Sequence, residues 1–320
     1  MALAGQIAIV TGASRGIGRG VALQLGEAGA VVYVTGRRPT ESDASKDVSL
    51  PQLEQVAKDV TARGGKGIVY YCDHGNMDEV KALFDHVEKS HNGRLDVLVN
   101  NAYAAVQTIS KNMNKKFFEC PPEMWDDVNN VGLRNHYYCS VYGARLMHRN
   151  GYGLIVNISS PGGLKYLFNV PYGAGKQALD RLSADMAVEL QRSNVCVVSL
   201  WPGAVRTELV TKYFLNGPPT DGGNSSVRET FSNGETIEYP GKAVVALAKD
   251  PRRMEKTGRT LITADIGSEY GFMDVDGREP PNLRSLSTIL NQLGYKQTAA
   301  WIPDWIKLPG WVLWAHTSRL

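Results

Sequence analysis

Six short apolar runs alternate with segments of helical periodicity along the first two thirds of the chain, and this restricts the possible folds more than any other feature. The runs are Ile7-Ala8-Ile9-Val10, Val31-Val32-Tyr33-Val34, Ile68-Val69-Tyr70-Tyr71, Leu95-Asp96-Val97-Leu98-Val99, Leu154-Ile155-Val156-Asn157-Ile158 and Val195-Cys196-Val197-Val198-Ser199-Leu200. They are apolar nearly throughout, as strands covered on both faces are. Between them lie helix-period stretches: Val21, Ala22, Leu25 and Ala28; residues 52 to 63, stopped by Gly64-Gly65; residues 78 to 89, with Val80, Leu83, Phe84 and Val87 on one face; residues 123 to 147; and residues 172 to 191. Strands joined by helices of this length pair in parallel through right-handed crossovers, which predicts an α/β doubly wound parallel sheet with helices on both faces. Ligands of such sheets bind beyond the carboxyl ends of the strands, so the residues just after each run are the candidate site.

The first of these ends is Thr11-Gly12-Ala13-Ser14-Arg15-Gly16-Ile17-Gly18. Strand, glycine turn and helix in that order suit a phosphate: glycine lets an anion approach the main chain, and the free N–H groups at a helix start favour negative charge. The spacing G-x-x-x-G-x-G departs from the usual G-x-G-x-x-G, so an ordinary tight turn stays open on this pattern alone. After the second strand stand Gly36-Arg37-Arg38, where an acidic residue would bond the ribose of NAD; basic groups there pair with a 2′-phosphate instead, and Arg15 favours the same ligand. The competing reading is that the three arginines are solvated surface residues. Asp73 follows the third strand and Asn100-Asn101-Ala102 the fourth, either as contacts to a nucleotide or as turn residues.

Chemistry is suggested by Tyr172-Gly173-Ala174-Gly175-Lys176, which places a phenol and an ammonium at i and i+4 on one helix face. A phenol is a weak acid-base group at neutral pH, and a nearby cation favours its phenolate. Twelve residues earlier Ser160 ends the fifth strand, where its hydroxyl is able to donate to a carbonyl; Ser159 faces the other side of the strand, and Ser160-Pro161-Gly162-Gly163 also reads as a turn.

Composition sets outer limits. With 320 residues, 43% of them hydrophobic and 21% charged, the chain can bury a large core. A net charge of +3 argues against a nucleic-acid surface. The cysteines Cys72, Cys120, Cys139 and Cys196 are dispersed without C-x-x-C, which indicates neither a zinc site nor a disulfide framework. With no basic-then-apolar leader and no apolar run near the ~18 residues of a spanning helix, a reducing intracellular setting is expected.

Taken together, Thr11-Gly12-x-x-x-Gly16-x-Gly18, Asp73, Asn100-Asn101-Ala102, Ser160, Tyr172-x-x-x-Lys176 and Pro202-Gly203-x-x-x-Thr207 resemble the short-chain dehydrogenase/reductase family over about residues 5 to 265, in its order and near its spacings. The resemblance implies a Rossmann-type sheet of about seven strands in a domain over 1–270, followed by a C-terminal aromatic-rich extension over 271–320. It implies that Tyr172 is the acid-base group, that Lys176 lowers its pKa and binds the nicotinamide ribose, and that Ser160 orients a carbonyl. It places Gly12, Ser14, Arg15, Gly16, Ile17, Gly18, Arg37, Arg38, Asp73, Asn100, Asn101 and Ala102 along the cofactor. Pro202, Gly203, Val205 and Thr207 would border its nicotinamide. NADP(H) is favoured over NAD(H), with direct hydride transfer and no metal.

Three departures stand out: Tyr103 replaces the glycine that usually follows Asn-Asn-Ala; Gly132 stands where the family's asparagine holds a relay water; and the loop between Ser160 and Tyr172 is one residue short, which reopens Ser159. Residues 215–238, rich in Gly, Pro, Asn, Ser and Thr, read as a surface insertion or a substrate lid. The tail from Trp301 to Trp314 holds four of the six tryptophans, with prolines at 303 and 309 that preclude one continuous helix. It suits a membrane interface, a partner groove or packing on the domain. This tail, with Asp274-Val275-Asp276-Gly277-Arg278, resembles one branch of the family. That implies NADPH-dependent reduction of lipophilic carbonyls such as steroids or xenobiotic ketones, in the cytoplasm or at the cytoplasmic face of the endoplasmic reticulum. A nucleotide-binding scaffold with little turnover, an NAD-dependent alcohol dehydrogenase, and the pairing of two chains into a homodimer remain open.

Overall fold

The structure, a computed structural model, describes residues 1–39, 52–113, 115–215 and 224–317. The polar connection around Ser42 and Asp43 and the middle of the 215–238 segment lie outside the described residues. Seven strands form one sheet: β1 (Ile7–Val10), β2 (Val31–Gly36), β3 (Lys66–Tyr71), β4 (Val97–Asn100), β5 (Gly153–Ile158), β6 (Val195–Trp201) and β7 (Thr260–Ile262). All pairings within this sheet are parallel, in the order β3-β2-β1-β4-β5-β6-β7. The strand order reverses between β1 and β4, which opens a crevice above their carboxyl ends.

Side-chain parity explains why both faces are covered. Along β1, Ala8 and Val10 point to one face and Ile7 and Ile9 to the other; along β5, Leu154 and Val156 oppose Ile155. The first face is covered by α1 (Gly16–Glu27), α2 (Leu53–Ala62) and a later helix over Tyr239–Lys249, through Val21, Leu25, Val56, Val60, Val244 and Leu247. The second is covered by α3 (Met77–Ser90) and two helices further along, through Val80, Leu83, Phe84 and Val87. Each such side chain stabilises the fold by about 1.5–3 kcal/mol when fully buried. β4 starts later than the apolar run at residue 95, and just before it the buried Asp96 carboxylate accepts the Ile7 N–H at 2.7 Å.

The helix expected over 123 to 147 is not uniform. A short α4 (Val106–Lys111) precedes α5 (Met124–Asn129), then a π-helical segment spans Asn130–Arg134 and α6 (Asn135–Asn150) completes the rod. Asn135 N–H donates to the Asn130 carbonyl, five residues back, so one turn is widened around Gly132. α7 (Val170–Leu190) follows β5, starting under an Asn169 cap that accepts from Tyr172 N–H.

After β6 come α8 (Glu208–Val210), α9 (Asn224–Ser232), α10 (Tyr239–Lys249) and, beyond β7, α11 (Thr263–Tyr270). The remaining chain carries α12 (Leu286–Gln292), α13 (Lys296–Ala299) and α14 (Gly310–Thr317). It is closed on itself by Leu286 N–H to Ile306 carbonyl and Leu308 N–H to Arg284 carbonyl, and is tied to the domain through α11. Arg284 and Lys307 both pair with Asp265 of α11. Among the described residues, no helix is long and apolar enough to cross a membrane.

Candidate functional site

The glycine turn after β1 is built for a close-lying anion. Gly12 and Gly16 have φ of +65° and +57°, which other residues seldom adopt. A Cβ on Gly18 would stand 2.4 Å from both Asn101 Nδ2 and the Gly12 carbonyl, so α1 can press against the turn only without a side chain there. Asn101 Nδ2 donates to the Thr11 and Gly12 carbonyls, and Thr11 Oγ1 accepts from the N–H groups of Asn101 and Ala102. An anion already sits at the helix start: the Glu208 carboxylate accepts the Gly16 N–H at 2.7 Å, with Arg19 Nη1 3.9 Å from its other oxygen. This carboxylate does at the turn what a pyrophosphate oxygen would do, so the residues fit a dinucleotide.

Gly12, Ser14, Arg15, Gly16, Ile17, Arg37, Asp73, Asn101, Ala102, Pro202, Gly203, Val205 and Thr207 line one cleft with Ser160, Tyr172 and Lys176. Arg38 stacks its guanidinium 4.4 Å above the Tyr71 ring at the same end of the sheet as Arg37. Two of the expected residues lie behind the cleft wall. Gly18 is consumed by helix packing, and Asn100 is fully buried, donating to Ser140 Oγ at 2.9 Å and Asn157 Oδ1 at 2.8 Å. They shape the wall rather than line it. Asp73 Oδ1 accepts from Gly75 N–H and so also closes a turn.

At the other end, β5 and α7 bring three polar groups together. Ser160 accepts from Gly162 N–H at 3.0 Å and its hydroxyl bonds the Tyr172 phenol. Ser159 is turned away and donates to the Lys176 carbonyl. Tyr172 packs against Gly162, where a Cβ would come within 2.5 Å of the ring. Phe168, in the left-handed region at φ 62°, packs edge-to-face against Tyr172 at 5.1 Å, so a strained backbone holds an aromatic wall beside the phenol.

The electrostatics depart from the sequence-based expectation. Burial pushes the Tyr172 phenol up to about 12, with the Ser160 hydrogen bond opposing. Lys176 does not reverse this: its ammonium donates to the Ile158 carbonyl at 2.9 Å and lies 6.0 Å from the Tyr172 ring centre. Burial lowers the ammonium itself to about 8, opposed by Asp180 one turn on. Asp180 is buried and accepts from Ser199 Oγ and from Trp201 Nε1 at 3.1 Å. Its i+4 spacing from Lys176 was a readable signal.

Two further residues left no trace in the sequence. Glu208 reads as an ordinary acidic residue of a helix first turn. Glu235, 1% exposed, accepts from Gly203 N–H at 2.8 Å and from the Thr263 hydroxyl, and burial pushes its carboxyl up to about 8. It ties the segment before α10 to the cleft wall across a fold that only tertiary contact creates. The tail contributes as well: Leu283, Ile302, Trp305, Leu308, Val312 and Leu313 line the cleft. Trp201 and Trp314 meet at 6.1 Å, while Trp301, Trp305 and Trp311 are exposed.

A family model described as short chain dehydrogenase matches residues 6–216. The chain is 49% identical over 317 residues to a Homo sapiens protein named dehydrogenase/reductase SDR family member 1, covering 98% of each. It is 31% identical over 213 residues to the Arabidopsis thaliana protein named NADPH-dependent aldehyde reductase 2, chloroplastic, which covers 65% of this chain and 75% of that one. Among solved structures, a metagenomic short-chain oxidoreductase in complex with NADP is similar at a TM-score of 0.62 and 28% identity, over 82% of this chain and 97% of that one.

Proposed function

This chain belongs to the short-chain dehydrogenase family and is an NAD(P)-dependent oxidoreductase; on that footing we propose that it uses NADPH to reduce the carbonyl of a bulky, lipophilic ketone or aldehyde of steroid or xenobiotic type. The observation that carries the proposal is the convergence of the Tyr172 phenol and the Ser160 hydroxyl on the cleft that also holds the glycine turn.

Reduction of a carbonyl needs hydride at carbon and a proton at oxygen. The bound cofactor supplies the hydride. Ser160 donates a hydrogen bond to the carbonyl oxygen and fixes its position, and Tyr172 gives that oxygen its proton. The Lys176 ammonium, in the same buried site, offsets part of the cost of the phenolate left on Tyr172, and burial still outweighs it in the free protein. Phe168 and Gly162 hold the phenol ring, so little reorganisation accompanies the transfer.

NADPH is supported by Arg15 and Arg37 in the cleft and Arg38 beside it, with no carboxylate directly after β2 to take a ribose hydroxyl. A relative named as an NADPH-dependent aldehyde reductase and a similar structure holding NADP point the same way. A lipophilic substrate is supported by the size of the cleft, ≈ 2480 Å³, against the ~300–1,000 Å³ of a drug-sized site. Room for a cofactor and a second large ligand follows, and the walls facing that room are Leu164, Phe168, Trp201, Leu283 and the tail. Trp301, at 89% exposure, Trp305 at 77% and Trp311 at 71% are exposed on the tail that also lines the cleft, which suits a membrane surface from which such substrates partition.

The test is consumption of NADPH against NADH over a panel of steroid, quinone and aliphatic ketones, for the wild type and for Tyr172→Phe. NADPH-selective turnover that falls by ~10²–10⁴ in the variant is expected. Full activity in Tyr172→Phe would overturn the assignment. NADPH binding without turnover on any carbonyl would favour a nucleotide-binding scaffold, the reading for which Tyr103 and Gly132 speak.

A further inference from the structure

Tyr103 and Gly132 depart from the family pattern separately in sequence, yet they share one space. A Cβ on residue 132 would stand 2.8 Å and 2.9 Å from Cδ2 and Cε2 of Tyr103, so the ring rests on the bare backbone of the widened turn between α5 and α6. The same ring packs edge-to-face against Tyr172 at 6.2 Å and lies 5.3 Å from Lys176 Nζ, closer than the Tyr172 ring does. The Lys176 ammonium carries three protons and has one described hydrogen bond, to the Ile158 carbonyl. The Tyr103 hydroxyl, in contrast, is buried with no hydrogen-bond partner. The ring face, not the hydroxyl, is therefore what meets the charge.

We propose that Tyr103 is a positioning residue for Lys176: its ring, seated on Gly132, keeps the buried ammonium protonated beside the Tyr172 phenol. The proposal rests on Tyr172 and Lys176 being the proton-handling pair. The groups facing the ammonium are Tyr172 and Asp180 on its own helix, the Ile158 carbonyl on β5, Tyr103 after β4 and His136 on α6. His136 is neutral, since burial and then Lys176 itself lower it to about 3, so it leaves the ammonium uncompensated on that side. Asp180 and the ring oppose the desolvation that lowers Lys176 to about 8.

Removing the ring lowers the pH at which Lys176 loses its proton by ~0.4–1.5, the range a desolvated cation–π contact supports. The test is competitive labelling of Lys176 by acetic anhydride as a function of pH on the protein without added cofactor, alongside the pH profile of kcat. Tyr103→Leu and Gly132→Ala, which displaces the ring, should both move the labelling midpoint and the alkaline limb of kcat downward. Tyr103→Phe should leave both in place. Gly132→Ala should add nothing once Tyr103→Leu is present, because both act through one contact. Should Tyr103→Leu fail to fold, Tyr103→Met removes the ring while keeping more volume. An unchanged midpoint in the ring-deleted variants, or an equal shift in Tyr103→Phe, would overturn the proposal. Labelling reads Lys176 without turnover, so a failure of the reductase reading and a failure of this one give different results.

Discussion

Glu208 occupies the helix start that a pyrophosphate needs, and cofactor binding must move it. Its carboxylate accepts the Gly16 N–H at 2.7 Å and is 22% exposed. A hydrogen bond to a charged group contributes about 1.5–3 kcal/mol when well buried, and partial exposure brings this one to about 1–2 kcal/mol. The interaction exists only in the cofactor-free state, so it subtracts from binding by the same amount. Glu208→Ala should therefore tighten NADPH by ~5–30-fold and at the same time lower the melting temperature of the cofactor-free protein by ~2 °C for each kcal/mol lost. Glu208→Gln, which keeps a carbonyl acceptor but no charge, should fall between. Fluorescence titration of NADPH and thermal melts without cofactor measure the two halves. A variant that melts lower yet binds NADPH no tighter, or more weakly, would show that the carboxylate supports the bound state and would refute the displacement argument.

Three further outcomes are expected. Glu235 titrates at about 8 when folded against an ordinary 4.5, so it holds a proton that the unfolded chain has released; its stabilisation is complete below the unfolded value and fades as pH rises to the folded one. The melting temperature of Glu235→Gln relative to wild type should then climb between about pH 5 and 8, and parallel melting curves would contradict the buried acid. Replacing Arg37 and Arg38 together by Ala should cut the NADPH-over-NADH preference in kcat/KM by ~10–100-fold, with no loss on NADH; an unchanged ratio would place the 2′-phosphate elsewhere. Changing Trp301 and Trp311, which do not line the cleft, to Ser should release the protein from liposomes in flotation while leaving carbonyl reduction intact. Deleting 300–320 should cost activity as well, because Ile302, Leu308, Val312 and Leu313 wall the cleft. Binding to liposomes that survives the double change would remove the membrane role.

Local order sufficed for the frame. The parity of Ile7 and Ile9 against Ala8 and Val10, the glycines before α1, and the four-residue step from Tyr172 to Lys176 are short-range facts, and short-range sterics and periodicity decide strands, turns and helix faces. They were enough for a doubly wound parallel sheet and for which strand ends carry the cleft. What they could not settle depends on residues far apart in the chain. Ser160 rather than Ser159 meets Tyr172 because of how β5 delivers its last side chain to α7. Asn100 leaves the cleft because Ser140 and Asn157 capture it from α6 and β5. The uniform helix expected over 123 to 147 widens at Gly132, where the Tyr103 ring takes the room of a side chain. Lys176 does not lower the Tyr172 phenol because burial, a property of the whole packed site, outweighs a cation drawn off by the Ile158 carbonyl. Glu208 on the glycine turn and the tail over the cleft follow the same rule. A motif names which groups are available, and desolvation and long-range contact decide what each of them faces.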